Sequence, residues 1–167
     1  MAFVPMSSAI GIPPIDQTLV AFTGAGRSTP WKIGDIIKAV DPALGVGEFI
    51  YLQGLASTAL GELVIYDHNA GTTKRAVAGD RGPAAVAMSA NVASQFGWYQ
   101  IGGLAKMKSG TVAANGGVYL TATPGTVDDA VVAGDKLDGA RFKTADGTPA
   151  AGFAYAMLDR PALNGNG

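Results

Sequence analysis

From residue 47 onward the sequence offers short apolar-alternating runs, closely spaced and separated by glycine-rich turns. No amphipathic stretch of about ten residues or more with helical spacing appears there. The runs are EFIYLQGL (48–55), GELVIYD (61–67), KRAVAG (74–79), AAVAMSA (84–90), GVYLTAT (117–123), DAVVAG (129–134), GARFKT (139–144) and GFAYAML (152–158). Between them lie HNAGTT (68–73), DRGP (80–83), PG (124–125) and ADGT (145–148), the last carrying the Asp-Gly pair favoured in hairpins. Many short strands joined in this way predict a mainly β chain, a small β-barrel or sandwich.

The longest run, GWYQIGGLAKMKSG (97–110), tests that expectation. Taken as one strand from Trp98 to Lys108, it places Tyr99, Ile101, Gly103, Ala105 and Met107 on one face. The other face carries Trp98, Gln100, Gly102, Leu104, Lys106 and Lys108. The first face is apolar, the second mostly polar, and the phase is unbroken at the glycines. A Gly-Gly hairpin is the alternative. Unbroken alternation favours a single strand bent at Gly102–Gly103, the device by which a small sheet turns a corner. Tyr99, Ile101, Ala105 and Met107 are therefore expected in the core, and Lys106 and Lys108 towards solvent or a partner.

Residues 1–30 read differently. Pro5, Pro13, Pro14 and Pro30 forbid a regular helix and cannot donate to a ladder. Among them stand Phe3, Val4, Ile10, Ile12, Ile15, Leu19, Val20 and Phe22. So many hydrophobes in an extended segment require a surface to lie against, the chain's own or a neighbour's. The organisation expected is an extended N-terminal arm (1–38), a β domain (39–161) and a flexible C-terminal tail (162–167). The best helical candidates are short: WKIGDIIKAV (31–40), interrupted by Gly34, and SANVASQ (89–95).

Composition narrows the function classes. Charged residues make up 15% of the 167, against roughly 25% in an average domain. A surface so poor in charge suggests tight backbone turns or a covering partner. The net charge of −1 gives no nucleic-acid footprint. Cysteine is absent, which removes disulfides, thiolate metal sites and cysteine nucleophiles. Residues 82–105 carry no charge, but Pro83, Asn91, Gln95, Gln100 and several glycines argue against a membrane span. The opening MAFVPMSSAIGIPP lacks the basic and compact apolar regions of a secretory signal.

Chemical constellations are few. His68, the single histidine, falls in the turn YDHNAG, and no nucleophile-elbow motif accompanies it. TGAGRS (23–28) lacks the Gly-Lys-Ser/Thr ending of a phosphate loop. Asp128, Asp129, Asp135 and Asp138 cluster in sequence, as acid–base pairs or calcium ligands do, but the spacing of an EF-hand loop is missing. Turn capping is the ordinary role of such residues. No catalytic, cofactor-binding or metal-binding residue is assigned, and no enzyme activity or cofactor is expected.

The segments AVDPALGVGEFIYLQGLASTALGELVIYD (39–67) and RGPAAVAMSANVASQFGWYQIGGLAKMKSGTV (81–112) resemble tailed-phage head structural proteins, among them the capsid decoration or cement proteins. GGVYLTATPGTVDDAVVAGDKLDGARFKTADGTPAAGFAYAMLDRP (116–161) extends the likeness, so it spans Ala39 to Pro161. The resemblance implies a virion protein on the outer surface of the capsid, commonly a homotrimer, that locks major capsid protein subunits together. It implies no nucleic-acid or membrane partner. The eight apolar arm residues would then form the capsid or subunit interface. A head-fibre base or adhesin module is the alternative, and a hydrolase using Asp128, Asp129 or Asp135 a remote one.

Overall fold

The computed structural model describes residues 4–6, 15–16, 19–20, 31–54, 57–93 and 95–165. Twelve strands make up the described secondary structure, and no helix occurs among these residues. They are β1 (Val4–Pro5), β2 (Leu19–Val20), β3 (Ile36–Asp41), β4 (Gly45–Gln53), β5 (Leu63–Tyr66) and β6 (Thr73–Arg75). Then follow β7 (Gly82–Ala87), β8 (Gln95–Lys108), β9 (Gly117–Leu120), β10 (Val127–Asp128), β11 (Lys136–Phe142) and β12 (Phe153–Leu163). The main path of the sheet runs β1-β3-β4-β8-β7-β12-β11-β9-β10, with β2 on β8 and the β5–β6 hairpin on β7. All strand pairs are antiparallel. The sheet does not close into a barrel; of the two expected architectures, the sandwich-like one fits.

The chain is mainly β because its apolar residues alternate, and the longest strand shows how. β8 is a single strand, bent where expected. Its first half pairs with β4 (Ile50↔Tyr99, Tyr51↔Trp98) and its second half with β12 (Ala156↔Ala105, Ala154↔Met107). Gly103 sits at the bend with φ 86°, and a Cβ there would collide with the Val46 carbonyl oxygen. Only glycine combines that torsion with that approach. A register shift in β4 between Glu48 and Phe49 lies opposite the bend.

Tyr99, Ile101, Ala105 and Met107 are all buried, as the alternation predicts. The bend divides them between two clusters. Ala105 and Met107 join the main core with Leu63, Val118, Leu137, Phe142 and Leu158. Tyr99 and Ile101 join a second cluster with Ile50, Leu52, Val64 and Ala87. β5 and β7 stand between these two cores, which is why LVIY is buried at every position. A third cluster lies on the other face of β4 and early β8, with Trp98, Phe49, Tyr51, Ile37 and Ala39. Trp98 and Gln100 are thus buried as well, so this half of β8 is covered on both faces.

Other expectations need correction. WKIGDIIKAV is not helical: Ile36–Asp41 is a strand whose exposed and buried residues alternate strictly. β3 therefore begins before residue 39 and pairs with β4 along its whole length, while β12 continues to Leu163, inside the segment expected as a tail. Within SANVASQ, Asn91 forms a bridge to Thr58 instead of a helical turn. Its buried amide donates to the Tyr99 hydroxyl (3.0 Å), and a Cβ at Gly97 would lie 2.7 Å from that amide nitrogen. DAVVAG (129–134) contributes no strand; β10 ends at Asp128.

Candidate functional site

Of the eight apolar arm residues, Phe3, Ile10, Ile12 and Phe22 lie outside the described residues, as does TGAGRS. Leu19 and Val20 form β2, opposite Phe96 and Gln95 of β8. Ile15 is only 2% exposed and packs in the third cluster with Ile37, Phe49 and Trp98. Its surface is supplied by the chain's own sheet, which leaves it no area to offer a partner. Val4 behaves differently. It is 57% exposed on the end strand β1 and pairs with Val40.

Val4 begins a row. Val40 is 37% exposed and pairs in turn with Val46, which is 50% exposed. Residues directly opposite on paired strands share a face. Three valines therefore lie side by side across β1, β3 and β4, with Ile36 exposed further along β3. A valine next to water on one strand is ordinary; a cross-strand row of them at the end of a sheet makes an exposed apolar patch, with Lys38 on the same face. The sequence of IIKAVD carries no alternating signal for Val40, its apolar residues fit helical spacing, and the partner Val46 lies beyond a turn.

The acidic residues are dispersed into structural duties. Asp128 accepts from the Ala130 amide (3.1 Å) and Asp129 from the Ala113 amide (2.8 Å). Asp135, buried, accepts from the Gly79 amide (2.9 Å) and faces the Arg81 guanidinium at 3.5 Å. Asp138 accepts from the Asn164 side chain (3.3 Å). His68 is exposed, its ring edge-on to Tyr66 with centroids 5.0 Å apart. A shallow hollow of about 450 Å³ beside it is lined by Lys74, Arg81 and Pro83 among others, but Lys74 pairs with Asp80 and Arg81 with Asp135. Among the described residues no group of three or more His, Asp or Glu is placed to hold a metal ion.

Glu62 is the most engaged carboxylate and was not singled out from sequence. It is buried, and its Oε1 accepts from both Arg75 and Lys108 at 2.8 Å, while Oε2 accepts from the Ala59 amide at 3.0 Å. Burial alone would raise its pKa. The hydrogen bonds from Lys108 and Ala59, the charge of Lys108 and the Arg75 contact outweigh it and hold the carboxyl below its usual range. With two cations and an amide on two oxygens, it ties β5, β6 and β8 together and has no proton-transfer partner to serve.

No protein-family model matches the chain, and no curated protein matches it.

Proposed function

We propose that this chain is a non-enzymatic structural protein of a tailed-phage particle, which binds the outside of the capsid lattice as a decoration protein. Its partners in this reading are the major capsid protein and copies of itself, as a homotrimer. The observation that carries the reading is the Val4–Val40–Val46 row: an apolar surface at the end of a sheet, in a chain whose clustered acids are spent on turns. The resemblance of residues 39–161 to phage head proteins supplies the kind of particle. The hydrolase alternative has little support, because Asp128, Asp129 and Asp135 each serve a different backbone amide.

The test is decoration of bare heads. Wild-type protein is expected to co-sediment with purified heads in a fixed high stoichiometry. Val40→Lys/Val46→Lys is expected to lose most of that binding, since two charges would enter an apolar contact. Its melting should move little, because both positions are exposed. A folded double variant that decorates like wild type would remove the valine row from the interface. Wild-type protein that leaves heads bare would overturn the decoration reading itself.

A further inference from the structure

A second surface stands apart from the valine row, on the outer face of the β9–β11–β12–β8 part of the sheet. Its register can be followed strand by strand. Arg141 pairs with Met157, and Met157 with Leu104. The ring of Tyr119 lies over Gly117, the β9 partner of Arg141. One rung further, Tyr155 pairs with Lys106, and Lys143 donates its amide to the Tyr155 carbonyl (2.7 Å). Beyond that, Phe153 pairs with Lys108, and the Lys106 ammonium sits 4.1 Å from the Phe153 ring centre. Lys136 pairs with Tyr119.

The apolar residues of this face are partly accessible: Met157 is 42% exposed, and Leu104, Tyr119, Phe153 and Tyr155 are half-buried. Around them stand five of the chain's 12 lysines and arginines. Lys108 is held by Glu62, whereas Lys106, Lys136, Arg141 and Lys143 have no carboxylate partner among the described residues. Elsewhere Lys74, Arg75, Arg81 and Arg160 are each paired with an acid, while the exposed Lys32 and Lys38 are not. The acids nearest the face are Asp138 and Asp159 at one end, Glu62 on Lys108, Asp41 near enough to act on Tyr155, and Asp16 in the same hollow as Lys106. Among the described residues, four cations of this face are thus without an ion pair, and they outnumber Asp138 and Asp159 on the same surface.

We infer that this face docks a protein partner with an acidic surface. An apolar centre rich in aromatics and methionine, rimmed by cations, is the anatomy of a protein interface. Charge complementarity sets the sign of the partner. A nucleic acid fits less well: the aromatic rings are half-covered rather than presented for stacking. The inference stands on this face alone and does not need the partner to be a phage head.

The test uses full-length protein and three probes: the random copolymer poly(Glu,Tyr), poly-Glu, and a DNA duplex of matched charge. Affinity is measured at about 50 mM and about 300 mM salt. Poly(Glu,Tyr) is expected to bind more tightly than poly-Glu, and both more weakly at high salt. Lys136→Glu/Lys143→Glu should weaken poly(Glu,Tyr) binding about tenfold or more. Both lysines are exposed and free of ion pairs, so the variant keeps the fold, which its melt checks. Met157→Ser should narrow the gap between the two polymers. No binding at low salt, or equal binding by the charge variant, overturns the inference. Tighter binding of the duplex than of either polymer overturns it in favour of a nucleic-acid face. Polymer binding with undecorated heads would leave this face standing and refute the decoration reading.

Discussion

Gly103 shows what one residue contributes. Its φ of 86° is costly for any side chain, and a Cβ would meet the Val46 carbonyl, which belongs to a paired strand and cannot move alone. Gly103→Ala should therefore destabilise by about 2–4 kcal/mol, combining backbone strain with overpacking. Equilibrium denaturation checks it; a loss under about 0.5 kcal/mol would mean that β4 and β8 separate easily at the bend. Ile101→Asp should cost several kcal/mol, because its site among Ile50, Val64 and Ala87 has no cation to pair with a carboxylate. The bend and the buried side of β8 were legible, since alternation survives the glycines. Burial of Trp98 and Gln100 was not. Whether the other face is covered depends on Ile15 and β3, which are remote in sequence. Nor was the Glu62–Lys108 pair legible across the 46 residues that separate its partners.

At the scale of elements, the misread segments share a cause. In WKIGDIIKAV the apolar residues Ile33, Ile36, Ile37 and Val40 satisfy a helical period, whereas the strand puts Ile36 and Val40 on the face opposite Ile37. Pairing with β4 decides for the strand, and no local signal reports that pairing. DAVVAG fails in the opposite direction: its two valines fit a strand, yet they are exposed in a loop that brings Asp135 to the Gly79 amide. The N-terminal segment divides likewise. Ile15 is a core residue and Val4 a surface one, although both are isolated hydrophobes in a proline-rich stretch. Ile15→Ala should accordingly cost about 2–4 kcal/mol, the usual range for emptying a buried isoleucine site. Val4→Ala should stay within about 0.5 kcal/mol. Equal small effects from both, by thermal or denaturant melts, would mean that Ile15 contributes nothing to the third cluster.

For the whole molecule, the all-β class was legible because a period of two recurs from one end of the domain to the other; the neighbour relations were not, because β4, β8 and β12 pair across long chain separations. What joins these distant strands is partly electrostatic, and that makes stability respond to acid. Glu62, between Lys108 on β8 and Arg75 on β6, has its carboxyl held below the ordinary 4.5. A carboxylate with a lowered folded-state pKa binds its proton less readily folded than unfolded. The stability it contributes is therefore fully present above its unfolded pKa, about 4.5, and is lost as pH falls through the folded value. Asp67, whose carboxylate accepts from the Ala70 and Asn69 amides, shifts in the same direction but lies exposed in a turn. Wild-type protein should thus lose stability steadily below about pH 4.5. Glu62→Gln should be less stable at pH 7, since Lys108 and Arg75 lose their carboxylate. It should also show a shallower decline on acidification, with only the remaining carboxylates titrating. Denaturant melts at a series of pH values read both effects. Parallel curves for the two proteins, offset but equal in slope, would mean that Glu62 titrates alike in the folded and unfolded chain and that its two cations do not govern its charge.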